Sequence, residues 1–136
     1  MHRYSVQFRI GGKSVVPSEI TRHLGLQPNQ IRIVGEKRSK DKTWDESLWS
    51  YDGTSNDLGS MEWESLEAGL LYVLNELLPK KDLLRIYVEN SEAMWWCGHF
   101  QSSFDGGPEV SPLLLRQWAD FGVPLFLDNY FANDQE

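Results

Sequence analysis

The sequence predicts an α+β domain: a mostly antiparallel sheet with helices on one face, in which a ferredoxin-like β-α-β-β-α-β core is extended by a second β-α-β unit. Three observations predict it. Residues 3–10 alternate at period two, with Tyr4, Val6, Phe8 and Ile10 on one side and Arg3, Ser5, Gln7 and Arg9 on the other; that is the pattern of a half-buried strand. Trp63, Leu66, Leu70, Val73 and Leu77 fall at steps of three and four, the apolar stripe of a helix lying on a sheet. A third pattern occurs twice: Gly11-Gly12, Pro17, Gly25 and Pro28, then Gly106-Gly107, Pro112, Gly122 and Pro124. The stretches of about 3–34 and 93–131 therefore read as a pseudo-repeat inside one domain spanning 1–136.

Each element has a local reason. After the first strand, Pro17 suits the first helical position, where its missing N–H costs nothing. Ile20 and Leu24 share one helical face, and Gly25 is placed to end the helix in a left-handed conformation. Gln30 to Val34 reads as a second strand and Leu48 to Tyr51 as its antiparallel return. The polar segment 36–46 between them is longer than an ordinary hairpin loop, and such loops are often functional. Residues 52–57 have turn composition. The longest helix is expected from Ser60, a good N-cap residue, to Pro79, which stops it. Leu83 to Val88 reads as a fourth, central strand, and Ala93 to Phe104 as a fifth. Ser111 then caps a helix with Leu114, Leu115, Trp118 and Phe121 on its apolar face, and Pro124 to Tyr130 forms the last strand.

The composition bounds the class. At 136 residues, 40% hydrophobic and 24% charged, the chain is large enough to bury a core without staples. No apolar run reaches the length of a membrane span, and no signal-peptide pattern opens the chain, so cytoplasmic residence is expected. The net charge of −7 hides an asymmetry: residues 1–43 hold nine Lys/Arg against three acids, and the remainder four against seventeen. Either the two regions steer partners of opposite sign to different faces, or they lie together and neutralise each other.

Reactive chemistry finds little support. The single cysteine, Cys97, excludes an internal disulfide, and with His99 alone it falls short of a zinc set. Cys97 with His23 or His99 lacks the surroundings of a nucleophile motif. Gly11-Gly12 precedes a helix, yet neither dinucleotide nor P-loop spacing follows. An enzyme is not expected, and neither is a cofactor or a metal.

Binding is better supported. Arg32, Lys37 and Arg38 accompany Trp44, Trp49 and Tyr51 on a hairpin and its loop. Basic groups beside flat aromatics hold phosphate and stack bases, and Arg and Trp dominate protein interfaces. The plain alternative is that Trp49 is core and the lysines are solvated. A sequence pI near 4.9 argues against a dedicated nucleic-acid binder. A second surface, Asp52, Asp57, Glu62, Glu64 and Glu67, is suited to a basic protein partner through charge-steered association.

Phe8-x-Ile10, Pro17-x-x-Ile20-Thr21-x-x-Leu24-Gly25-Leu26-x-Pro28, Gly35 and Trp49, with the ending Gly122-Val123-Pro124-Leu125-x-Leu127-Asp128-x-Tyr130, resemble the bacterial family of small stand-alone proteins known as DUF4279. The motifs are prolines, glycines and core positions, and the family carries no assigned reaction, cofactor or catalytic residue. The resemblance implies a bacterial cytoplasmic protein, an immunity-like or accessory binder. The resulting expectation is a non-enzymatic monomer or homodimer acting by protein–protein contact. The alternative is a small-ligand or nucleotide-binding module using the 32–51 hairpin.

Overall fold

A computed structural model describes residues 1–54 and 61–131. The elements run β1 (His2–Gly12), α1 (Pro17–Leu24), β2 (Gln30–Arg32), β3 (Ser47–Tyr51), α2 (Leu66–Leu77), a 3₁₀ turn (Leu78–Lys80), α3 (Lys81–Asn90), β4 (Glu92–Gln101), α4 (Pro112–Phe121) and β5 (Leu125–Phe131). The five strands form one mixed sheet in the order β2-β3-β1-β4-β5. β1 pairs antiparallel with both β3 and β4, β2 pairs antiparallel with β3, and β4 pairs parallel with β5. The chain is thus α+β, as expected, but its sheet is mixed: α4 carries it from β4 back to a parallel neighbour.

The alternation in β1 decides which face is the core. Tyr4, Val6, Phe8 and Ile10 are buried, and in register with them lie Tyr51 and Trp49 on β3 and Cys97 and Trp95 on β4. The helices all add to this same cluster, through Ile20 and Leu24 of α1, Val73 and Leu77 of α2, Leu84 of α3, and Leu114 and Phe121 of α4. Phe121 meets Phe8 and Trp95 edge-on, with ring centres 5.8 and 5.6 Å apart. Each such fully buried side chain contributes roughly 1.5–3 kcal/mol of transfer free energy. The helices therefore cover one face of the sheet.

The expected strand at Leu83–Val88 is instead a helix, α3. Pro79 does not end the helical run; it sits early in a 3₁₀ turn that starts the next helix, where its missing N–H is harmless. Leu84, Tyr87 and Val88, at steps of three and four, turn toward the core. A short apolar run fits either period, and packing chose the helical one. The long helix also begins later than expected, with Ser65 as N-cap accepting from the Ala68 N–H at 3.2 Å; Ser60 lies outside the described residues.

The two glycine–proline units share their caps and differ in their place. Gly25 and Gly122 both adopt left-handed conformations, with φ of 69° and 77°, which only glycine takes without strain. However, β4 and β5 are neighbours, whereas β3 separates β1 from β2. No helix among the described residues is long and apolar enough to cross a membrane.

Candidate site on the uncovered sheet face

The face opposite the helices carries the other half of each alternation: Gln7 and Arg9 of β1, Ser50 of β3, Arg32 of β2, Trp96 of β4 and Asp128 of β5. Register places them side by side, with Arg9 opposite Ser50, Gln7 opposite Trp96, and Ser50 opposite Gln30. Gln7 is nearly buried, and its Oε1 accepts from Arg9 Nε at 2.9 Å and from Ser50 Oγ at 3.0 Å. An arginine Nε can only donate, so this contact fixes the Gln7 amide with its oxygen toward Arg9.

Arg9 is held from above as well as below. Its guanidinium lies 4.4 Å over the Trp96 ring, within cation–π range. Trp96 Nε1 donates to Asp128 Oδ2 at 3.2 Å, and the Tyr130 hydroxyl donates to the same oxygen at 2.6 Å. Asp128 thus orients the indole without forming a salt bridge to Arg9.

The segment 33–46 folds as a narrow hairpin of its own. Gly35 N–H donates to the Trp44 carbonyl and Trp44 N–H to the Glu36 carbonyl, both at 2.9 Å, while Arg38 N–H reaches the Lys42 carbonyl. Ser47 Oγ, accepting from the Val34 N–H at 2.9 Å, closes its base. The hairpin brings Trp44 beneath two arginines, with the guanidinium carbons of Arg32 and Arg38 at 4.2 and 5.1 Å from the ring centre.

Of the residues expected to bind, Arg32, Arg38 and Trp44 come together here. Lys37 lies on the hairpin, bridged to Thr43 through the backbone, and its side chain is exposed. Trp49 and Tyr51 are in the core on the other face, stacked on each other, with Trp49 Nε1 donating to Thr21 and the Tyr51 hydroxyl to Glu76. They are not available to a ligand on the arginine face. Arg9, Gln7 and Trp96 were not singled out from sequence, although the strand alternation already placed Gln7 and Arg9 on this side.

Electrostatically the face gathers Arg9, Arg32 and Arg38, with Asp128 favouring the charge on Arg9. Burial, then the charge of Arg32, lowers the pKa of Arg9 from its ordinary value; burial, then Arg38, lowers that of Arg32. No ion pair among the described residues involves Arg9, Arg32 or Arg38; the three present are Arg3–Glu64, Lys81–Asp120 and Arg85–Asp82. Among the described residues Arg3–Glu64 is the ion pair that joins the basic segment to the acidic one, and the pull of Asp128 on the charge of Arg9 is a second link between them. Arg32 Nε is buried with no acceptor among the described residues, as are Trp95 Nε1 and Trp118 Nε1. Unpaired buried donors are costly and rare, so each calls for a reason.

The acidic surface is dispersed. Asp52 is buried, 2% exposed, and its carboxylate accepts from the Thr54 N–H and hydroxyl and from the Met61 N–H, closing a turn. That demand for internal partners removes it from any surface. Glu67 accepts from the Ser111 N–H at the start of α4, and Glu64 faces Arg3 at 3.7 Å. Glu62 is exposed; Asp57 lies outside the described residues.

The nucleophile pairings do not form. Cys97 is fully buried, and burial pushes its thiol up to about 12, the opposite of an activated cysteine. His23 Nδ1 meets the Tyr87 hydroxyl at 3.0 Å. His99 lies between His2 and Asn129, 2.8 Å from each, with Tyr4 stacked on its ring.

No curated protein and no solved structure matches the chain. The sequence model of one family does, over residues 2–132 and so nearly the full length: the chain belongs to the domain-of-unknown-function family DUF4279.

Proposed function

We propose that this protein is a binding domain, without a reaction of its own, that contacts an acidic protein surface through the uncovered face of its sheet. The observation that carries the reading is three guanidiniums, Arg9, Arg32 and Arg38, seated on the indoles of Trp96 and Trp44 with no carboxylate in ion-pair range. Stacking on a ring fixes a guanidinium while leaving its N–H fork free for a carboxylate. The buried Cys97 and the mutually occupied His2 and His99 support a role other than nucleophilic catalysis. We also read β2-β3-β1-β4, antiparallel throughout, as a ferredoxin-like core to which β5 is added.

A second reading keeps the same face and changes the ligand. Lys13, Arg32, Arg38 and Trp44 line one recess with Asp45 and Glu46, and its three cations with a flat ring favour a nucleotide.

The test titrates the protein with poly-L-glutamate, poly-L-lysine and ADP while following tryptophan fluorescence. The expected result is a response to poly-L-glutamate that weakens as salt rises and disappears in Arg9→Gln/Arg32→Gln. A response to ADP alone moves the assignment to the second reading; a response to poly-L-lysine alone refutes both.

A further inference from the structure

Two recesses of about 520 and 400 Å³ meet at Gly11, the second on the arginine face and the first at the end of β1 and β4, where it reaches Val88 of α3 and Val123 on the helix side. The first is mostly apolar, lined by Val88, Met94, Val123 and Pro124 with Arg9 at its side. The second is lined by Lys13, Arg32, Arg38 and Trp44 together with Asp45 and Glu46, three cations against two carboxylates. They share Gly11, Leu48 and Glu46. Arg32, Leu48, Gly11 and Glu92 are in register across four adjacent strands, so Gly11 is the low point between the two.

Gly11 lacks the usual reasons for a glycine in a strand. Its neighbour Gly12 has φ of 152°. At Gly98 a Cβ would come 2.7 Å from the Trp96 ring. Gly11 has no positive φ, and a Cβ there would meet only ordinary contacts, 3.6 Å from the Ser47 carbonyl and 3.8 Å from Leu48. A strand-interior glycine weakens a sheet and often marks a close approach by something else. Neither its backbone conformation nor a tight contact requires it.

We propose that Gly11 joins the two recesses into one channel, and that the channel takes an extended acidic segment of a partner protein, its apolar side chain in the Met94–Pro124 recess and its carboxylates on Arg32 and Arg38. This rests on the acidic-contact reading above and adds the shape and direction of the segment. Three inter-strand steps separate the line of Arg32 from that of Glu92, about 14 Å, which an extended chain covers in about four residues. Glu46, common to both recesses, repels carboxylates from the middle, and Glu92 repels them from the apolar end. They hold the acidic end at the arginines and the apolar end at Met94.

The test uses two labelled peptides, acetylated and amidated: Leu-Gly-Ser-Gly-Asp-Asp, and the same peptide with serine for leucine. Fluorescence anisotropy should show the leucine peptide binding the natural protein about tenfold tighter, the scale of one well-buried aliphatic group. Gly11→Leu, which fills the channel floor, should remove that advantage; circular dichroism and thermal melting verify its fold. Met94→Asn, at the apolar end, should do the same and serves if Gly11→Leu does not fold. Equal binding of both peptides to the natural protein overturns the channel and leaves the acidic-contact reading standing. A leucine advantage that survives both variants overturns the channel as well. Binding of neither peptide removes both readings.

Discussion

Arg32 lies with its guanidinium 4.2 Å from the centre of the Trp44 ring while its Nε is buried without an acceptor. The stacking holds the side chain over the sheet, and its buried Nε–H has no acceptor among the described residues. One half of this pair comes from a three-residue edge strand and the other from the hairpin that follows it, so the hairpin's fold sets the site.

Removing the pair should separate binding from stability. Trp44→Ala with Arg38→Glu removes two cation–π contacts, each about 0.5–1 kcal/mol. A thermal midpoint lowered by no more than a few degrees is expected, together with loss of the poly-L-glutamate response. Collapse of the fold, or binding at natural strength, would contradict the assignment of the hairpin.

Asp52 and Glu62 should behave in opposite ways despite their shared charge. Asp52→Ala leaves the donors of Thr54 and Met61 without their acceptor, and a cost of about 2–3 kcal/mol is expected. Glu62→Ala should stay within about 0.5 kcal/mol, as exposed substitutions do. Urea midpoints of the two variants check this directly.

Gly69 differs from Gly11 although each sits inside a regular element. A Cβ at Gly69 would come 2.8 Å from Val6 Cγ2 and 2.8 Å from the Trp63 ring. Gly69→Ala should therefore destabilise by about 1–3 kcal/mol from overpacking, outweighing a helix-propensity gain of about 1 kcal/mol. Gly11→Ala should be neutral or stabilising in the same melt.

Alkaline pH should loosen the fold. The Cys97 thiol, pushed up to about 12 by burial, stays neutral in the native chain while the unfolded thiol ionises near pH ~8.5. Burial raises Tyr51 too, reinforced by the nearby Glu76. A raised acid binds its proton longer in the native state, so this stability is complete below the unfolded pKa and is lost as pH climbs toward the folded one. Urea midpoints should fall between about pH 9 and 12, less steeply in Cys97→Ala. The native thiol should also resist a disulfide reagent at pH 8, and rapid modification would show that Cys97 is not buried.

Much of this was legible in the residues. The alternation in β1 gave both faces of the sheet, and Pro17 with Gly25 and Ser111 with Gly122 gave α1 and α4 their ends. The strand expected at Leu83–Val88 failed because six apolar-rich residues satisfy either period, and only the packing of Leu84 and Tyr87 decides. The site was half visible. Arg32, Arg38 and Trp44 stood close in sequence, but Arg9 and Trp96 join them through strand register, a non-local property. Trp49 and Tyr51, expected as binders with the core as the alternative for Trp49, both take the core face, because β3 points alternate residues to opposite faces.

The most direct measurement of the central claim is the ¹H–¹⁵N correlation of the arginine Nε–H groups during titration with poly-L-glutamate. The account predicts that the Arg32 Nε–H, and with it Arg9 and Arg38, shifts downfield in a saturable way while Arg85 and Arg116 stay still. Uniform small shifts across all arginines, or none at Arg32, would contradict it.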